Sequence, residues 1–164
     1  MVQVLVGDIF ASSAQTLTNP INCVGVMGKG LALAFRQHFP DMYEDYVLRC
    51  RKHSVHIGQP YVFRRPVIPW ILNFPTKDNW RAHSQMARIV EGLAYLRLHY
   101  RDWGITSLAM PALGCGEGKL SWSQVGPILY QQLLRFDIPI ELYAPHDTAK
   151  AMLNKRFLTE NQSI

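Results

Sequence analysis

No stretch of this 164-residue chain comes near the roughly eighteen consecutive apolar positions that a membrane-spanning helix needs. The opening Met1-Val-Gln-Val-Leu-Val6 also lacks the basic segment of a secretory leader. A cytoplasmic protein with no membrane partner is the expectation. Cysteine is scarce as well: Cys23, Cys50 and Cys115 are odd in number, far apart and free of any C-x-x-C pair. That pattern argues against a disulfide framework and against a zinc site, so neither a metal nor a cofactor is expected. Long runs of one charge are missing too. The nearest are Arg49-Cys-Arg51-Lys52, Arg64-Arg65, and Lys77 with Arg81. The first of these reads most simply as the solvated end of a helix, where cations suit the dipole. A formal charge of +5 favours an anionic partner without identifying it.

What is present is enough apolar residue, 48%, to bury the core of one domain. Two glycine-rich turns stand out within it. The first is Asn19-Pro-Ile-Asn22-Cys-Val-Gly25-Val-Met-Gly28-Lys29-Gly30, where an apolar strand runs into a helix beginning near Leu31. The second is Pro111-Ala-Leu113-Gly114-Cys115-Gly116-Glu117-Gly118-Lys119-Leu120, again between an apolar strand and a helix. Neither matches G-x-G-x-x-G. The second also fails the Walker A pattern, because Leu stands at positions 113 and 120. One glycine turn means little, since a tight turn needs positive φ whether or not anything binds. Two strand-to-helix turns of this kind suggest one diphosphate held from both sides by backbone N–H groups.

These motifs, in this order, resemble the macrodomain family. Gly7-Asp8-Ile9 follows the first strand, Asn19-x-x-Asn22 precedes the first turn, and Gly114-x-Gly116-x-Gly118 forms the second. The run Val24 to Gly30 and the segment Asn73-Phe-Pro-Thr-Lys77-x-x-Trp80-Arg81 resemble DarG-type antitoxin macrodomains, which remove ADP-ribose from DNA. A related human enzyme, the terminal ADP-ribose protein glycohydrolase, shares part of the pattern. The resemblance covers Val2 to Pro145 and implies a three-layer α/β/α fold with a mixed central sheet. It implies adenine at Asp8 and the Ile9 N–H, and the distal ribose at Asn22. The diphosphate would lie between Val26, Gly28, Lys29 and Gly30 on one side and Leu113, Gly114, Cys115, Gly116, Glu117 and Gly118 on the other. Lys77 takes the place of the catalytic lysine. The implied partners are ADP-ribosylated single-stranded DNA and a cognate ADP-ribosyltransferase toxin, met by a monomer. One position departs from the pattern: the human relative has an acidic residue where this chain has Gly118.

Read in order, Val2 to Val6 is a β-branched strand, and Thr16 to Val24 a buried one. A helix from Gly30 stops at Pro40, and Asp41-x-x-Glu44 suggests a capping-box start for the next. Gln59 to Arg64 and Trp70 to Phe74 read as paired strands, the second followed by a polar loop, Pro75 to Arg81. From His83 a long amphipathic pattern runs to Trp103-Gly104, followed by a buried strand over Ile105 to Met110. Ser121-x-x-Gln124 caps a helix kinked by Pro127, and Ile138 to Ala144 is the last strand. Residues 1–145 are thus expected to form the domain. Residues 146–164 are expected to be a tail or short helix, compatible with a truncation before a second domain.

As a free amine, Lys77 could attack a sugar carbon; as a cation, it could assist departure of a base. Glu117, adjacent to Gly118, and His83 are subsidiary candidates for the place of the acidic residue that resolves a lysine-linked intermediate in the human relative. Trp80 and Arg81 suit stacking and phosphate contact with single-stranded DNA, or equally a loop anchor and a solvated charge. Three readings follow: hydrolysis of ADP-ribose from a DNA base, hydrolysis of protein-linked or acetylated ADP-ribose, and recognition of ADP-ribose without catalysis.

Overall fold

The computed structural model describes residues 1–160; the end of the expected tail, 161–164, lies outside the described residues. Alternating strands place apolar side chains on both faces of one sheet, and helices cover each face. The strands are β1 (Val2–Leu5), β2 (Thr16–Asn22), β3 (Tyr61–Phe63), β4 (Trp70–Lys77), β5 (Leu108–Pro111) and β6 (Ile140–Tyr143). Their spatial order is β1-β6-β5-β2-β4-β3. Neighbours are parallel except for the antiparallel edge pair β3 and β4, so the sheet is mixed as expected.

The helices among the described residues are α1 (Gly30–His38), α2 (Pro40–Arg51), α3 (Met86–His99), α4 (Trp122–Leu133) and α5 (Lys155–Glu160). Side chains along each strand point alternately to the two faces. Leu17, Ile21, Ile71, Ala109 and Tyr143 join Phe35, Met42 and Tyr46 of α1 and α2 in one core. Leu72, Phe74, Leu108, Met110, Ile140 and Leu142 join Ile89, Leu93, Leu129 and Leu158 of α3, α4 and α5 in the other. The result is the three-layer α/β/α arrangement. None of the helices is long and apolar enough to cross a membrane among the described residues.

Several boundaries differ from the sequence expectation for identifiable reasons. The Asp41 capping box does not form. Pro40 occupies the first turn of α2, where its missing N–H is no loss, and Phe39 is the N-cap without a side-chain cap bond. Strand β4 runs on to Lys77 rather than ending at Phe74, because β2 continues beside it and pairs Asn22 with Lys77. Helix α3 starts at Met86, not His83. Gln124 Oε1 does accept the Ser121 N–H at 3.1 Å, and α4 continues through Pro127. Beyond Pro145, Leu158 is fully buried, and the Trp122 indole donates to the Met152 carbonyl at 2.9 Å.

Candidate functional site at the strand ends

Because β1, β2, β4 and β5 run parallel, everything that follows them emerges on one rim. Strand β2 leads to α1 on one face of the sheet, whereas its neighbour β5 leads to α4 on the other. Where adjacent strands send the chain to opposite faces, a crevice opens at their carboxyl ends. Here it is a cavity of about 360 Å3. Both glycine turns, the end of β4 and the start of α1 line it. The first amides of α1 have no intrahelical partner and lie at the positive end of its dipole, which suits an anion.

The first turn is held by side-chain hydrogen bonds. Asn22 Nδ2 donates to the Val26 carbonyl at 2.7 Å, and its Oδ1 accepts from the Val24 N–H at 3.1 Å. Behind it, the fully buried Tyr46 of α2 places its hydroxyl 2.7 Å from Asn22 Oδ1 and 2.8 Å from the Asn22 carbonyl. The same hydroxyl accepts the Gly25 N–H at 3.2 Å. One side chain from α2 therefore fixes both the asparagine and the turn. Asn22 is the scaffold of this turn first, with one amide hydrogen left for a ligand.

The second turn is held by close packing. Gly114 has φ +84°, and a Cβ there would lie 2.6 Å from Leu120 Cδ1 and 2.8 Å from Ile89 Cδ1. Gly118 is equally confined: a Cβ would come within 2.4 Å of Ser84 Oγ, and the Ser84 N–H donates to the Gly118 carbonyl at 3.1 Å. No acidic side chain fits at 118 without displacing residue 84. The two turns meet across the cavity, since a Cβ on Gly30 would lie 3.6 Å from Glu117 Cγ. Lys77 joins them: its amine donates to the Trp80 carbonyl at 3.3 Å and the Glu117 carbonyl at 3.5 Å.

Of the residues singled out from the sequence, Asn22, Val26, Gly28, Lys29, Lys77, Trp80, Gly114, Cys115, Glu117 and Gly118 line this cavity. Leu113 does not; its side chain is fully buried in the core beneath the turn. Gly30, Gly116 and Arg81 lie beside the cavity in sequence but outside its lining. Asp8 and Ile9, after the end of β1, are also outside the lining: Asp8 Oδ1 accepts the Phe10 N–H at 2.9 Å, and the Ile9 side chain is buried in the core. Trp80 is 46% exposed, with the Arg81 guanidinium 4.5 Å above its ring. The sequence reading missed Pro20, Ile21, Leu31, Ala32, Thr76, Ser84, Pro111 and Ala112. The alanines and Leu31 carry no chemical signal, and Ser84 stands between His83 and Gln85 in a polar stretch where nothing in the sequence sets it apart.

Burial pushes the Cys115 thiol up to about 11, and burial, then Asp78 and Cys50, do the same for Cys23. Both are neutral thiols near pH 7, which leaves no thiolate to serve as nucleophile. Among the described residues no group of three His, Cys, Asp or Glu side chains is placed to hold a metal ion.

Residues 18–129 match the model of the Macro domain. The chain belongs to the macro domain family. This macro domain is 38% identical, over 94% of its length, to a DNA ADP-ribosyl transferase-DNA ADP-ribosyl glycohydrolase fusion protein from Thermosipho africanus. It is 39% identical, over 89% of its length, to a DNA ADP-ribosyl glycohydrolase of Mycobacterium tuberculosis. It spans less than half of each, 45% and 43%. Among solved structures, Thermosipho africanus DarTG in complex with ADP-ribose superposes with a TM-score of 0.90 at 39% identity, over 96% of this chain and 45% of that one. The macrodomain of Mycobacterium tuberculosis DarG gives 0.83 at 38% identity, over 87% of this chain and 97% of that one.

Proposed function

We propose that this macro domain hydrolyses the bond between ADP-ribose and a base of single-stranded DNA, reversing a cognate ADP-ribosyltransferase toxin, as a monomer in the cytoplasm. The observation that carries the reading is the position of the Lys77 amine, on the cavity shared by both glycine turns and within 3.5 Å of the second. The names of the Thermosipho and mycobacterial relatives, and the ADP-ribose in the Thermosipho complex, support it. In this reading the diphosphate lies between the N–H groups of the two turns, the adenine reaches Asp8 Oδ2, and the distal ribose meets Asn22 and Lys77.

Hydrolysis adds water to the anomeric carbon of that ribose. The carbon–nitrogen bond breaks, its electron pair leaves with the base, and the base takes a proton. Both neighbours of the Lys77 amine are carbonyl acceptors, which suits a donor aimed at the departing base. Gly118 leaves no space for a carboxylate to resolve a lysine-linked intermediate. Trp80 and Arg81 at the mouth offer a stacking face and a phosphate contact for the adjoining strand.

The test offers ADP-ribosylated single-stranded DNA and ADP-ribosylated protein in parallel and follows free ADP-ribose. Release from the DNA, lost by at least a hundredfold in Lys77→Ala with ADP-ribose binding retained, is the expected result. Release from protein alone, or full turnover by Lys77→Ala, contradicts it. A lysine adduct trapped by borohydride during turnover would replace the donor role with covalent attack. Arg81→Ala should weaken DNA binding and flatten its salt dependence by about one unit of slope.

A further inference from the structure

The 32 positions 46–77 contain no Asp or Glu, yet carry six basic residues: Arg49, Arg51, Lys52, Arg64, Arg65 and Lys77. That stretch is +6 in a chain of net charge +5, so the rest of the molecule sums to −1. The positive charge of the protein belongs to one stretch, and the fold decides which part of it faces a partner. Arg49 is paired with Asp45 at 2.8 Å and Arg65 with Asp41 at 3.3 Å. Arg64 lies over the ring of Trp70, at the start of β4 and so at the far end from the cavity. Lys77 is in the cavity itself. That leaves Arg51 and Lys52 at the end of α2, both exposed and followed by exposed His53 and His56. Neither forms an ion pair among the described residues. The helix dipole suits a cation in the last turn of α2, but it does not explain the cationic residues beyond the helix or the missing acids.

This end of α2 adjoins the rim of the cavity. A Cβ on Gly25 would lie 3.7 Å from Cys50 Cβ, so the residue before Arg51 packs against the first glycine turn. Cys23, where that turn begins, joins two segments: its N–H donates to the Asp78 carbonyl at 3.1 Å, and the Ile57 N–H lies against its thiol. On the Asp78 side stand Lys77, Trp80 and Arg81; on the Ile57 side stand Arg51, Lys52, His53 and His56. The acids bordering the second group are mostly engaged. Asp45 holds Arg49, and Glu91, whose carboxylate would meet a Cβ on Gly58, holds Arg88; Glu44, earlier on α2, and Asp78 are exposed. A polyanion passing the mouth therefore meets cations on both sides of the first turn.

We infer that Arg51 and Lys52 bind backbone phosphates of the single DNA strand whose modified base sits at the cavity, on the side of the first turn away from Trp80 and Arg81. This rests on the proposed hydrolase reading and adds to it a second contact for the strand, outside the ADP-ribose site. Arg51→Ala combined with Lys52→Ala removes two exposed charges. Arg135→Ala combined with Lys155→Ala also removes two exposed charges, across the sheet from α2 beside α4 and α5, and serves as the control.

The parent chain and both double variants are compared by fluorescence anisotropy with an unmodified single-stranded oligonucleotide over a salt series, by calorimetry with ADP-ribose, and by release from an ADP-ribosylated oligonucleotide. The Arg51 and Lys52 double variant should bind the unmodified strand about tenfold more weakly, and its plot of log affinity against log salt should flatten by about 1.4, at about 0.7 per phosphate contact on a single strand. KM for the modified oligonucleotide should rise, with kcat and ADP-ribose affinity unchanged. The control should match the parent throughout. Equal losses in the two double variants, or no loss in either, overturn the inference, as does a parent that does not bind the unmodified strand at low salt. A fall in ADP-ribose affinity or in kcat for the Arg51 and Lys52 variant overturns it too, because the substitutions would then act on the glycine turn rather than on the strand. If strand binding follows the expected pattern while the parent releases no ADP-ribose, the hydrolase reading fails and the phosphate contact stands.

Discussion

The two glycine turns use the same residue for different ends. In the first, Asn22 and Tyr46 supply hydrogen bonds that hold the turn, with Met27 buried in the core and Val24 and Val26 exposed. In the second, Gly114 and Gly118 let the backbone settle against Leu120, Ile89 and Ser84, where no side chain fits. One turn is fastened from behind by polar groups and the other is wedged in place. The lesson is that glycine count says little about what a phosphate-binding turn can tolerate.

Substitutions can break that contrast. The largest effect is expected from Gly114→Ala, which combines a left-handed backbone with two contacts under 3 Å. It should cost about 2–4 kcal/mol in denaturant unfolding, together with ADP-ribose binding. Tyr46→Phe comes next. It strands the Gly25 N–H and one Asn22 acceptor, so a loss of about 1–3 kcal/mol is expected, with ADP-ribose affinity down about tenfold. Gly28→Ala should be the mildest, because its φ is ordinary and its Cβ would lie 3.7 Å from Val26 Cγ1. Stability should stay within about 0.5 kcal/mol, and only ligand affinity should respond. If Gly28→Ala destabilises as much as Gly114→Ala, the two turns are not held differently.

The buried thiols sharpen the same picture through pH. Cys23 in the first turn and Cys115 in the second have folded-state values raised from 9.0 to about 11. Between those values the unfolded chain loses protons that the folded chain keeps. Stability should therefore be intact below about pH 9 and decline as pH rises toward 11. Replacing both cysteines with serine should shrink that decline, as read by denaturant melts at pH 8 and pH 10.5. Alkylation of either thiol at pH 8 should be slow in the folded chain.

The alternation of strands and helices was legible because each strand face feeds a separate core, as Ile71 against Leu72 and Phe74 illustrates. The turns were legible through their glycines, and Lys77 through its surrounding segment. The dual role of Asn22 was not, because Tyr46 approaches from another helix, 24 residues away in sequence. Nor was the extension of β4 to Lys77, which depends on β2 lying alongside it. The burial of the Leu113 side chain was not legible either, because a turn's sequence does not show which of its side chains point down into the core. Ser84 escaped notice for a related reason: its neighbour Gly118 lies 34 positions ahead.

The central claim is that both glycine turns grip one diphosphate and so present a sugar to Lys77. Titrating the nitrogen-15-labelled chain with ADP-ribose and following backbone amide shifts tests it most directly. The amides of Val26, Gly28 and Gly30 and those of Cys115, Gly116 and Gly118 should move together and saturate with one dissociation constant. Movement confined to one turn, or two turns saturating at different concentrations, would contradict the account.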